Sequence, residues 1–64
     1  MPSPLYRDLT ALLLAAGCIK AREGKGSHEI WRTRDGKTFT VPESIAKRHM
    51  ANAILKQAGL PKAF

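Results

Sequence analysis

Two glycine-bearing turn signals, Gly24-Lys25-Gly26 and Asp35-Gly36, cut the middle of this chain into three short segments. Short segments joined by tight turns pair as an antiparallel meander, because parallel pairing needs a long crossover. The segments suit strands. Cys18 to Glu23 alternates, with Ile19 and Ala21 on one side and Lys20 and Arg22 on the other. Ser27 to Arg34 carries Ile30, Trp31 and Thr33, and Lys37 to Val41 sets Phe39 and Val41 opposite its threonines. Pro42 then stops the third strand.

Helical periodicity flanks this core on both sides. Ser3-Pro4 is a helix start, a side-chain acceptor followed by a residue whose missing N–H costs nothing in the first turn. Leu5, Leu9, Leu12, Leu13 and Ala16 then form one apolar stripe, so a helix is predicted over Pro4 to Ala16 with Gly17 as its exit. After Pro42, Ser44 reads as a cap. Ile45 to Ala58 reads as a second helix with Ile45, Ala46, Met50, Ala53, Ile54 and Ala58 as its stripe, ended by Gly59. Pro61 to Phe64 is a short tail, docked or free.

The expected architecture is therefore α+β, two helices on one face of a three-stranded antiparallel sheet whose other face stays open. With 64 residues the chain has room for one domain, 1–64, and one core. Such a chain buries only about 60% of its unfolded surface, which excludes doubly wound sheets and barrels. Its 44% hydrophobic and 25% charged residues are far from the composition of disorder.

Eleven Lys and Arg against five Asp and Glu leave +6 at neutral pH, which points to a polyanionic partner: nucleic acid, anionic membrane or acidic protein. Placement narrows the choice. Lys20, Arg22, Lys25, Arg32, Arg34 and Lys37 all fall on or beside the strands, which is a nucleic-acid footprint. Lys47, Arg48 and Lys56 on the second helix are as compatible with a solvated face as with phosphate contact. The lone Cys18 cannot form an internal disulfide or a thiolate zinc site, and reads as a small buried apolar residue in a reducing, cytoplasmic protein. Leu9 to Cys18 resembles a lipoprotein signal only in part, since Arg7 is balanced by Asp8 and the apolar run is short. Nothing approaches the ~20 apolar residues of a membrane span.

The candidate for chemistry is His28, in Lys25-Gly26-Ser27-His28. A glycine turn lets backbone approach a phosphate and present N–H groups to it, and Lys25 and Arg22 add charge on the same edge. Position alone also fits a structural or surface histidine. Its orientation hangs on strand phase: His28 goes with Ile30 and Arg32, Trp31 with Glu29 and Thr33, and either Ile30 or Trp31 suits the interior. Placing Trp31 inward leaves the imidazole wet, and this is the reading adopted. His49 reads as a surface residue in the middle of the second helix, and no histidine-carboxylate spacing suggests a metal site. Ser27 lacks a Ser-His-Asp arrangement.

Three segments together carry a resemblance: Lys25 to His28 opening strand two, Thr40 to Pro42 closing strand three, and Ile54 to Leu60 ending the second helix. With the leucine-rich first helix ending at Gly17, the chain resembles the HicA family of toxins over nearly its whole length. It departs where many members carry a Gly-Thr pair at the start of the last helix, since Ser44 to Ala58 reads as uninterrupted. The resemblance implies a double-stranded-RNA-binding-domain-like fold and a cytoplasmic, ribosome-independent endoribonuclease toxin that cleaves mRNA and is silenced by a HicB-type antitoxin. It implies His28 as the catalytic histidine; Arg22, Lys25, Gly26, Ser27 and Arg32 are expected on the RNA from their placement beside it, with neither metal nor cofactor. RNA carries its own nucleophile in the 2′-OH, which is consistent with a lone imidazole as acid or base. The rival readings are a non-catalytic RNA-binding module of the same fold, and an adaptor whose basic face meets an acidic protein.

Overall fold

A computed structural model describes residues 3–64; Met1 and Pro2, part of the expected 1–64 domain, lie outside the described residues. Helix α1 (Pro4–Ala15) starts as its sequence dictates: Ser3 is extended, and its hydroxyl oxygen accepts the Tyr6 N–H at 3.1 Å. Strands β1 (Ile19–Glu23), β2 (His28–Arg32) and β3 (Thr38–Pro42) follow, then helix α2 (Arg48–Gln57). The sheet is antiparallel in the order β1-β2-β3. Both helices pack on one face, where Leu9 and Leu13 of α1 and Ala51, Ile54 and Leu55 of α2 meet Trp31, Phe39 and Val41. The predicted fold is the one formed.

Each hairpin has a physical cause. In the first, His28 donates its N–H to the Lys25 carbonyl at 3.2 Å. Gly26 has φ 65° and Ser27 a negative φ, the signs of a type II′ turn that only glycine enters without strain. In the second, Thr33 donates to the Lys37 carbonyl at 2.8 Å and accepts from Gly36 at 3.1 Å, closing a three-residue loop over Arg34, Asp35 and Gly36.

Two expectations are corrected. The first is the clean alternation of β1. Lys20 pairs with Trp31 and Arg22 with Ile30, so a bulge at Ala21 sends Lys20 to the helix side and Arg22 to the open side. Every β1 residue is exposed, and Ile19 stays 49% exposed, because the core lies over β2 and β3 and not over this edge strand. The second is the start of α2, which lies at Arg48 and not at Ile45. Ser3 draws the preceding segment against α1: its N–H donates to the Glu43 carbonyl at 3.2 Å and its hydroxyl to the Ile45 carbonyl. Ile45 is buried as a loop residue, Ser44 caps nothing, and Ala46, Met50 and Ala53 face solvent.

The new helix start is unfavourable in isolation. Lys47 is its N-cap with no side-chain hydrogen bond, Arg48 and His49 fill the first turn, and no acid lies there. His49 is thus a first-turn residue and not a mid-helix one. Cationic groups sit at the positive end of the helix dipole. Lys47→Asp is expected to supply the missing cap and raise stability by about 1 kcal/mol, read as a higher urea midpoint at unchanged slope. At the other end of the chain the tail is docked: the Asn52 amide donates to the Phe64 carbonyl at 2.9 Å and accepts from Ala63 at 3.2 Å and Phe64 at 3.0 Å.

Candidate functional site

The phase of β2 decides what the open face carries. Glu29, Trp31 and Thr33 are buried on the helix side, which leaves His28, the half-buried Ile30 and Arg32 on the other. Trp31 is therefore the inward residue and His28 is exposed. Directly opposite residues share a face, so Arg22 joins Ile30, Ile19 joins Arg32, and Thr38, Thr40 and Pro42 complete the surface from β3.

His28 opens β2 immediately after the turn that holds Lys25, Gly26 and Ser27, all exposed. Ser27 accepts the Glu43 N–H at 2.9 Å, which ties this turn to the end of β3. Among the described residues no backbone carbonyl takes the Gly26 or Ser27 N–H, so both amides are free for an anion. The structure thus gathers Arg22, Lys25, Gly26, Ser27 and His28 at one end of the open face. Arg32 shares that face at the far end of β2, about 13 Å along the strand at ~3.3 Å per residue.

Three members of the expected basic footprint are diverted. Lys20 crosses to the helix side, where its ammonium bonds the carboxylates of Glu23 and Glu29. Those bonds raise its pKa, the one to Glu23 most. Arg34 folds over Gly17, where an added Cβ would lie 2.2 Å from the arginine Cδ. Gly17 leaves room for that side chain. Lys37 lines a depression with Lys56 and Gln57 of α2, so the open face keeps Arg22, Lys25 and Arg32.

Sequence reasoning missed Glu29. Only 1% exposed, its carboxylate accepts the Tyr6 hydroxyl at 2.6 Å and the Trp31 indole N–H at 2.9 Å, with the Lys20 ammonium at 3.4 Å. The signal was present: once Trp31 is inward, strand alternation sends Glu29 inward too. Burial pushes this carboxyl up, but the bonds from Tyr6, Trp31 and Lys20, with the Lys20 charge, outweigh it and hold it below 4.5. Tyr6 responds in the opposite sense. Burial first, then its bond to Glu29, pushes the phenol up to about 12. Elsewhere, burial raises the Cys18 thiol, and the Thr33 hydroxyl bond lowers the Asp35 carboxyl.

Glu23, Glu29 and Glu43 bring carboxylate oxygens within 4.8 Å of one another, a set of hard oxygen donors. Lys20 already bridges two of the three, and the cluster lies on the sheet face opposite His28. It is chemically separate from the imidazole end.

Comparison with known proteins adds one finding. A family profile described as HicA toxin of bacterial toxin-antitoxin matches residues 6–60 of the chain. No curated protein and no solved structure matches it.

Proposed function

The chain belongs to the HicA toxin family of bacterial toxin–antitoxin systems, and on that premise we propose that it is a ribosome-independent, metal-independent endoribonuclease that cleaves mRNA through His28. The observation that supports this most is the exposed imidazole on an open basic sheet face, next to a turn with two free amides. His28 takes the proton of a ribose 2′-OH, or delivers one to the leaving 5′-oxygen. The 2′-oxygen bonds to phosphorus as the bond to the 5′-oxygen breaks, leaving a 2′,3′-cyclic phosphate and a 5′-hydroxyl. Arg22, Lys25 and the Gly26 and Ser27 amides stabilise the charge that grows on the phosphate, and Arg32 holds the strand further along. The nucleophile comes with the substrate, so the chemistry asks no metal to generate one.

Lys47, Arg48 and His49 follow β3 by a short connection from Pro42, which pairs with His28. The charges of Lys47 and Arg48 therefore follow that end of β3 in the chain. A HicB-type antitoxin covers this face and stabilises a small fold by mass action. The substrate places the reaction in the cytoplasm. No helix of the described residues is long and apolar enough to cross a membrane.

Incubation with single-stranded RNA in excess chelator is expected to yield cleavage with cyclic-phosphate ends, while a 2′-deoxy analogue stays intact. Intact RNA that is bound in a salt-sensitive manner would replace the enzyme by a non-catalytic RNA-binding module.

A further inference from the structure

We propose that the outer edge of β3 is a docking strand, to which an acidic protein partner adds an extended segment as the fourth strand of the sheet. This rests on the reading above for the existence of an antitoxin; the edge itself is argued from the backbone. A three-stranded sheet has two outer edges, and here they differ. β1 is interrupted by the bulge at Ala21 and carries Lys20, Arg22 and Glu23, devices that discourage pairing. β3 pairs with β2 without interruption from His28↔Pro42 to Arg32↔Thr38, and its sequence TFTVP has no charged side chain. It is the unprotected edge.

The phase of the ladder shows which groups point outward. Thr33 donates to Lys37 and Glu43 donates to Ser27. Since bonded pairs alternate in an antiparallel ladder, Phe39 and Val41 are the β3 residues that bond to β2. Beyond them the Pro42 carbonyl accepts the Ile45 N–H at 3.3 Å, so it is Thr38 and Thr40 that turn free N–H and C=O groups away from the sheet. No turn or loop of the described chain bonds to them, and both threonine side chains are exposed. Two donors and two acceptors stand in a row, which is what β-augmentation uses. Pro42, without an N–H, ends the row.

Charge selects the occupant. Two copies of a +6 chain paired edge to edge would set two basic faces side by side. Lys37 and Lys56 border the Thr38 end in one depression, together with Asp35. An acidic segment meets the two lysines at that end. The added strand lies about 10 Å from β2, at two strand spacings.

The test uses the full chain and a cognate HicB-type protein. Amide hydrogen exchange of the complex is expected to show new protection at Thr38 and Thr40, both fast in the free chain. Thr40→Pro removes one outward N–H and no bond to β2, so it is expected to weaken binding at least about tenfold, with RNA cleavage at the parental rate. Thr40→Ala keeps the backbone edge and is expected to bind like the parent. Binding without new protection at Thr38 and Thr40 overturns the docking strand and leaves the nuclease reading intact. Protection of those amides in a dimer of the chain alone overturns the acidic occupant. A parent chain that cleaves RNA but does not bind the HicB-type protein removes both the antitoxin and this proposal.

Discussion

His28→Ala is expected to slow RNA cleavage by about 10² to 10⁴, the usual contribution of one positioned acid or base, while leaving the fold and most of the RNA affinity unchanged. The separation of effects follows from where the residue sits. Its side chain is exposed at the start of β2, on the sheet face away from the core. Truncating such a side chain moves stability by no more than about 0.5 kcal/mol. On the proposed function, affinity for RNA comes mostly from phosphate neutralisation by Arg22, Lys25 and Arg32, none of which the substitution touches. Single-turnover cleavage, RNA titration at two salt concentrations and a thermal melt separate the three quantities. A variant as active as the parent ends the role assigned to this imidazole.

Glu29→Ala is expected to have the opposite signature, a loss of fold. The substitution leaves the buried Trp31 indole N–H and the Tyr6 hydroxyl without their acceptor, and deprives Lys20 of one carboxylate. Each of the two orphaned donors costs about 1–3 kcal/mol, against total stabilities that begin at about 5 kcal/mol for small domains. Much of the population should be unfolded at ordinary temperature. Glu29→Gln keeps the shape and one acceptor oxygen, so its cost falls to about 1–3 kcal/mol, and it allows the electrostatics to be read in a folded protein.

Two pH effects distinguish it from the parent. The Glu29 carboxyl is held below its ordinary value, so its contribution is present above that value and lost as pH falls through the lowered one. Glu29→Gln removes this part of the acid limb. The Tyr6 phenol moves from 10.0 up to about 12, so its contribution is present below 10.0 and lost as pH rises toward 12. With one tyrosine in the chain, ultraviolet absorbance follows that titration directly. In Glu29→Gln the midpoint should move back toward 10.0. An unmoved midpoint would show that the carboxylate does not act on the phenol.

Local chemistry made the helices and turns legible. Ser3 and Pro4 begin α1, glycines mark both hairpins, and Phe39 and Val41 declare the inner face of β3. The candidate site was readable for the same reason, since Lys25 to His28 are contiguous in the chain and a turn exposes what it carries. The start of α2 was not readable, because the bonds that hold Glu43 and Ile45 out of the helix come from Ser3, at the other end of the chain. Neither was the basic footprint in detail. A one-residue bulge in β1 sends Lys20 to a buried carboxylate, and Arg34 folds over a glycine that follows the first helix.

From the order of residues alone came the α-β-β-β-α succession, the strand periods and the histidine beside its turn, since each depends on neighbours a few positions away. Tertiary structure decided which side of β2 faces the core, and with it that His28 is wet and Glu29 is dry. Alternation offers two phases equal in backbone energy, and only burial of Trp31 against the helices chooses between them.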